Sequence, residues 1–142
     1  MPDDHAAVAA VVDDWWGGRS MADMLPRLFF DHFRDTSWVA WDDSGGVIAF
    51  VIAFASPHAA SEGYVHFLGV DPAWRGRGLG REAYERTFAD LRARGCTRVS
   101  AVTSPVNLDS QAFHRAQGFA VSEIQVAYDG PGQDRVLLTR EI

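Results

Sequence analysis

A run of β-formers, a proline stop, a glycine-rich bend and a helix-period apolar stripe follow one another in the middle of this chain, and few folds admit that succession. Tyr64-Val65-His66-Phe67-Leu68-Gly69-Val70 reads as a strand, and Asp71-Pro72 ends its pairing because proline lacks a backbone donor. Beyond Arg75-Gly76-Arg77-Gly78-Leu79-Gly80, apolar residues at Leu79, Ala83, Tyr84, Phe88 and Leu91, with the methyl of Thr87, mark one face of a helix. The glycines therefore lie at a helix N-terminus, where unpaired amides and the positive end of the macrodipole favour anionic oxygens. Arg75 and Arg77 add charged forks suited to phosphate, and a side chain at Gly78 or Gly80 would stand between the amides and a ligand. The expected ligand carries a pyrophosphate.

Three glycine-rich phosphate loops compete for this segment. A Walker loop ends in Gly-Lys-Ser/Thr, and no such run is present. The dinucleotide fingerprint needs a third glycine where Arg81 stands and an acidic residue on the next strand. What remains is Arg75-x-x-Gly78-x-Gly80 preceded by Val70-Asp71-Pro72, which resembles the acetyl-coenzyme A signature of the GCN5-related N-acetyltransferases (GNAT). A second block strengthens the resemblance: the strand-like Arg98-Val99-Ser100-Ala101-Val102-Thr103, then Asn107-x-x-Ser110-x-x-Phe113-His114-x-x-x-Gly118-Phe119. The family has a tyrosine where His114 stands; the spacing and the Gly-Phe ending agree. The resemblance covers residues 38 to 142.

The resemblance implies a mixed α/β fold: a central mixed sheet flanked by about four helices, its fourth and fifth family strands splayed apart. It also implies direct attack of an amine on the thioester of acetyl-coenzyme A, without an acyl-enzyme and without a metal. In the splay, the backbone of Leu68, Gly69 and Val70 is expected to pair with the pantetheine arm, and residues 75 to 80, Leu79 included, to hold the pyrophosphate. The Val70 amide is the candidate donor to the thioester oxygen, where one oriented donor is worth roughly 2.7–4 kcal/mol in other acyl-transfer sites. Asn107 and Ser110 are the expected contacts from the second block; Asn107 also reads as a plain helix cap, and the two roles are compatible.

Proton transfers are less determined. His114, in the tyrosine's place, is the candidate acid for the departing thiolate; with an ordinary pKa of about 6.5 it would fade as pH rises, and the alternative is a packed histidine with water as the donor. The positions at which family members carry a glutamate are Tyr64 and Val102, neither a carboxylate. By strand alternation Tyr64, His66 and Leu68 share a face, which makes His66 a candidate base, with Glu62 or a water chain through Tyr64 as alternatives. Trp16, Asp31 and Asp35 are candidate amine contacts. The acceptor stays open among protein N-termini, lysines, polyamines, aminoglycosides and small metabolites, and so does a coenzyme A-binding module without catalysis. A nucleotide-binding phosphate loop is a third, weaker reading.

At 142 residues the chain has the length of one domain, 1–142. A net charge of −6 argues against a nucleic-acid partner, which needs clustered cations, and no apolar stretch is long enough to span a bilayer. With no leader visible, the expected location is cytoplasmic. The single cysteine, Cys96, reads as a small buried residue. Helices are expected over 4–16 and 20–33, the second starting late or kinking at Pro26. Hairpins are expected from 37–41 with 47–55 and from 123–128 with 135–140. Family members open with a strand that this chain lacks room for, so a sheet edge is expected that a partner chain, as in a homodimer, or the helices would cover.

Overall fold

The continuous apolar run Val47–Ala55, buried on both faces along most of its length, and Glu62–Val70, whose burial alternates residue by residue, form two inner strands of a six-stranded mixed sheet. The computed structural model describes residues 2–142, with side chains from Asp4 onward. In chain order the elements are α1 (Pro2–Trp15), a 3-10 turn (Ala22–Met24), α2 (Leu28–His32), β1 (Trp38–Trp41), β2 (Val47–Ala55), β3 (Glu62–Val70), a 3-10 turn (Pro72–Trp74), α3 (Leu79–Ala93), β4 (Arg98–Thr103), α4 (Leu108–Ala116), β5 (Ala120–Val121) and β6 (Val136–Glu141). The strands lie in the order β1-β2-β3-β4-β6-β5. Among the described residues this order leaves β1 and β5 at the two edges of the sheet.

The sheet separates two apolar layers. On one face Val8, Val12 and Trp15 of α1 pack with Leu25 and Phe30 on Phe50 and Ile52 of β2 and Phe67 of β3. On the other, Tyr84, Phe88 and Leu91 of α3 cover Val51, Ala53, Val65, Val99 and Leu138. Each such side chain fully withdrawn from water contributes about 1.5–3 kcal/mol. Cys96 lies in this second layer, and burial pushes its thiol pKa up.

Two expected elements differ. No helix spans 20–33: the Asp13 carboxylate takes the amides of Met21 and Ala22 (2.6 and 2.9 Å), and Pro26 denies a donor, so only Leu28–His32 closes into a helix. Residues 123–128 are not a strand. After β5 the chain touches β6 and its approach at isolated rungs, Ser122 N to Leu137 O (2.9 Å) and Gln125 N to Arg135 O (2.7 Å). Ala127, at φ +55°, then turns the chain out of the ladder.

β3 and β4 are parallel, joined through α3, yet they pair only at Glu62↔Arg98, Gly63↔Val99 and Tyr64↔Ser100. β3 continues to Val70 against β2, and β4 continues to Thr103 against β6. The sheet is therefore open between β3 and β4 beyond their first three residues, while its outer pairings stay intact.

Candidate active site

The first turn of α3 borders that opening. Gly78, the N-cap, has φ +79° and offers no side-chain cap, and the first backbone bond of the helix runs from Glu82 N to Gly78 O (3.0 Å). The amides of 76 through 81 donate to no acceptor among the described residues. Six consecutive open donors at the positive end of a 15-residue helix form an anion site.

The glycines and arginines of this loop divide their work differently from the sequence reading. At Gly78 the backbone is left-handed, which favours glycine, and a Cβ there would meet no protein atom within 4 Å. At Gly80 a Cβ would lie 2.9 Å from Cε2 and Cζ of Phe113 on α4; this glycine lets the two helices meet. Gly80→Ala is expected to cost about 1–3 kcal/mol by overpacking. Thermal unfolding of Gly80→Ala, and its rescue by Phe113→Leu, checks this. Arg75 is not a free phosphate fork: Nε donates to Val70 O (3.3 Å) and Nη2 to Trp15 O (3.1 Å), tying the end of β3 to the end of α1. Arg77 lies over the Trp74 ring at 4.7 Å.

Along β3 the open edge is selective. Asp71 N donates to Ile48 O (2.9 Å), and bonded and non-bonded pairs alternate along an antiparallel ladder. Gly69, paired with Phe50, therefore turns its amide toward β2, whereas Leu68 and Val70 turn theirs into the opening. Of the three expected donors, Gly69 thus faces away from the opening. Its missing side chain leaves room for Phe50, whose Cε1 would lie 2.5 Å from a Cβ.

Ile52 pairs with Phe67 and Ala53 with Val65, so His66 is the extra residue of a β-bulge. The bulge reverses the faces: Leu68 packs with the α3 layer, while Tyr64 lies by Phe54 and His66 stacks on Phe29 (4.4 Å) on the opposite side. The expected common face of Tyr64, His66 and Leu68 therefore does not exist. His66 Nε2 donates to Met24 O (2.6 Å), because a carbonyl only accepts, and Nδ1 makes no hydrogen bond among the described residues. The Tyr64 phenol is pushed up to about 12, chiefly by burial and then by Tyr128 and Asp129, so it stays protonated and is no resting base. The Glu62 carboxylate accepts a hydrogen bond from Ser100 Oγ. Glu62, Tyr64, Ser100 and Val102 line a cavity of about 440 Å3 at the foot of the opening. Asp31 and Asp35, candidate amine contacts, pair with Arg27 and Arg94 (3.2 Å each), and Trp16 packs on Phe67.

Beyond β4, Asn107 Oδ1 accepts from Ser110 N (3.1 Å) and caps α4, which leaves its Nδ2 as the group able to donate. His114 is buried among Tyr84, Phe113 and Phe119. Its Nδ1–H donates to Ser110 O (2.7 Å) and its Nε2 accepts from the Tyr84 hydroxyl (2.6 Å). Burial lowers its pKa below the ordinary 6.5, against a smaller upward pull from the Ser110 carbonyl. With both nitrogens engaged in hydrogen bonds inside the protein, the ring holds α3 to α4, and the general-acid role expected for His114 would require one of these bonds to open.

The sign of the pH effect follows. The unfolded chain protonates this imidazole near 6.5 and the folded one only lower, so stability is complete above 6.5 and declines as pH falls from there through the folded value. Thermal unfolding between pH 7.5 and 5 is expected to show this decline, and His114→Gln to flatten it.

The open-edged sheet, the bulge and the unsatisfied helix start agree with a profile of the Acetyltransferase (GNAT) family, which matches residues 7–119. The chain belongs to that family. The match takes in α1, upstream of the region over which the two sequence blocks carry the resemblance. Mycothiol acetyltransferase of Beutenbergia cavernae is 35% identical over 94 residues, 66% of this chain and 31% of the relative. L-2,4-diaminobutyric acid acetyltransferase of Shouchella clausii is 32% identical over 88 residues, 62% of this chain and 49% of the relative. The chain thus spans less than half the length of either of these two relatives. Among solved structures, Ard1 from Thermoplasma volcanium superposes with TM-score 0.83 at 16% identity, covering 100% of this chain and 93% of the other. A GNAT superfamily phosphinothricin acetyltransferase from Sinorhizobium meliloti, in complex with AcCoA, gives 0.76 at 21%, covering 100% and 85%. At these identities the structures speak for the fold.

Within the GNAT family frame, the sequence reading missed Tyr84. It counts as an apolar position of the α3 stripe, and only the approach of α4 turns its hydroxyl into the partner of His114. Among the described residues no group of three or more His, Cys, Asp or Glu could hold a metal, and no helix is long and apolar enough to cross a membrane.

Proposed function

We propose that the protein is an acetyl-coenzyme A-dependent N-acetyltransferase acting in a ternary complex. The observation that carries this is the juxtaposition of six open amides at the start of α3 with a β3 edge whose Leu68 and Val70 amides face the gap between β3 and β4. Acetyl-coenzyme A, bound there, supplies an acetyl thioester to an incoming amine. The amides of 76–81 hold its pyrophosphate; Leu68 and Val70 hold its pantetheine arm as an added strand would, and the Val70 amide is the donor aimed at the thioester oxygen. Asn107 Nδ2 reaches the same arm from the far wall, beside Ser110.

For the amine's proton, two acceptors border the gap: the free Nδ1 of His66 and the Glu62 carboxylate, each through a water. With His114 and Tyr84 bonded to each other, water protonates the departing thiolate. Release of free thiol from acetyl-coenzyme A, against amines including L-2,4-diaminobutyric acid, tests the proposal, and a rate above the amine-free background is expected. Tight coenzyme A binding without turnover on any amine would instead favour a non-catalytic binding module, the reading that the absent family tyrosine supports. The proposed compartment is the cytoplasm, and a homodimer through the outer edge of β1 is checked by light scattering.

A further inference from the structure

The cavity at the foot of the opening carries two opposite charges that do not satisfy each other. The pairings Glu62↔Arg98 and Tyr64↔Ser100 place these four residues side by side, and all four line the same cavity of about 440 Å3. Glu62 turns toward Ser100 rather than toward its register neighbour Arg98. The Arg98 guanidinium makes no hydrogen bond and no ion pair among the described residues. Phe54 and Leu137 supply apolar walls, and Tyr128, from the segment before β6, lines the space as well. The volume falls in the range of small-molecule sites.

We infer that this cavity is the acceptor pocket and that the acceptor is a small zwitterion with a primary amine and a carboxylate, of the amino-acid type. This deepens the acetyltransferase reading and rests on it. The Glu62 carboxylate, steadied by Ser100, draws the ammonium end to the side where the gap opens past Tyr64. Arg98, at the beginning of β4 and farther from the gap, takes the carboxylate in its planar fork. A polyamine or aminoglycoside would set a second cation against Arg98, and a neutral amide would leave that fork unpaired, so the charge pair discriminates as well as binds. The phenol of Tyr64, kept protonated by its burial, adds a neutral donor between the two ends.

The test is the initial rate of thiol release from acetyl-coenzyme A with common L-amino acids, each beside its α-carboxamide and the amine that lacks the carboxyl group. At least one acid is expected to exceed its carboxamide by roughly tenfold in kcat/KM. Arg98→Ala should bring that acid down to the level of its amide, and Glu62→Gln should raise KM for the acid. Equal rates for acids and amides, or a polyamine as the best acceptor, overturn the inference while leaving the acetyltransferase reading in place. If coenzyme A binds but no amine is acetylated, that reading falls. The pocket is then judged by calorimetry on the coenzyme A-saturated protein: amino-acid heat that disappears in Arg98→Ala sustains it, and no heat with any amino acid refutes it.

Discussion

Gly78→Val should bind acetyl-coenzyme A on the order of ten- to a hundredfold more weakly than the parent. The residue has φ +79°, where a β-branched side chain is strained by about 1–3 kcal/mol, and nothing crowds the position. Relief of that strain must come from the backbone, because no neighbouring side chain could yield. Rotating Gly78 turns the amides of 77 through 80 away from a common focus, so the strain appears as lost affinity at about 1.4 kcal/mol per tenfold. Calorimetric titration of coenzyme A measures it. A substitution of equal size at exposed Glu85, about two turns along α3 and beyond the open amides, is the control. Unchanged affinity in Gly78→Val would mean that the open amides do not hold the pyrophosphate.

Tyr84→Phe should lower stability by about 1–3 kcal/mol while leaving the pH profile of catalysis unchanged. The substitution removes one oxygen, and the loss falls on His114, whose Nε2 becomes a buried acceptor without a donor. The other nitrogen stays on Ser110 O, so the ring cannot turn to recover a partner without giving up that bond. Urea unfolding of the two proteins gives the difference. A shifted acidic or basic limb in kcat/KM for Tyr84→Phe would return the pair to the chemistry, whereas a pure stability loss keeps it as the bolt between α3 and α4.

The order of elements and the cradle were legible because their determinants are close in sequence. Pro72 ends β3, Gly76 and Gly78 permit the positive φ of the loop, and the stripe from Leu79 to Leu91 winds α3. Pro26 likewise announced a late α2, though not the carboxylate of Asp13 that takes the amides ahead of it. Elsewhere a local pattern misled. Alternation put Tyr64, His66 and Leu68 on one face, and one inserted residue in the pairing with β2 moved Leu68 to the other. The ragged approach to β6 could not be read from 123–128, whose composition suits a strand and whose Ala127 turns it away.

Residue types and their short-range spacing are enough to say that a glycine-bent loop opens a helix after a strand, and that this pair of blocks belongs to the GNAT family. They do not say which donors remain unspent. Arg75 looks free until α1 arrives with the Trp15 carbonyl, and His114 looks like an acid until α3 brings a hydroxyl to its Nε2. Gly80 looks like clearance for a ligand until Phe113 fills the space beside it. Each of those outcomes depends on a partner far along the chain. Whether a polar or small residue serves a ligand or the core follows from which groups folding sets within hydrogen-bond reach, a long-range property that short-range spacing does not encode.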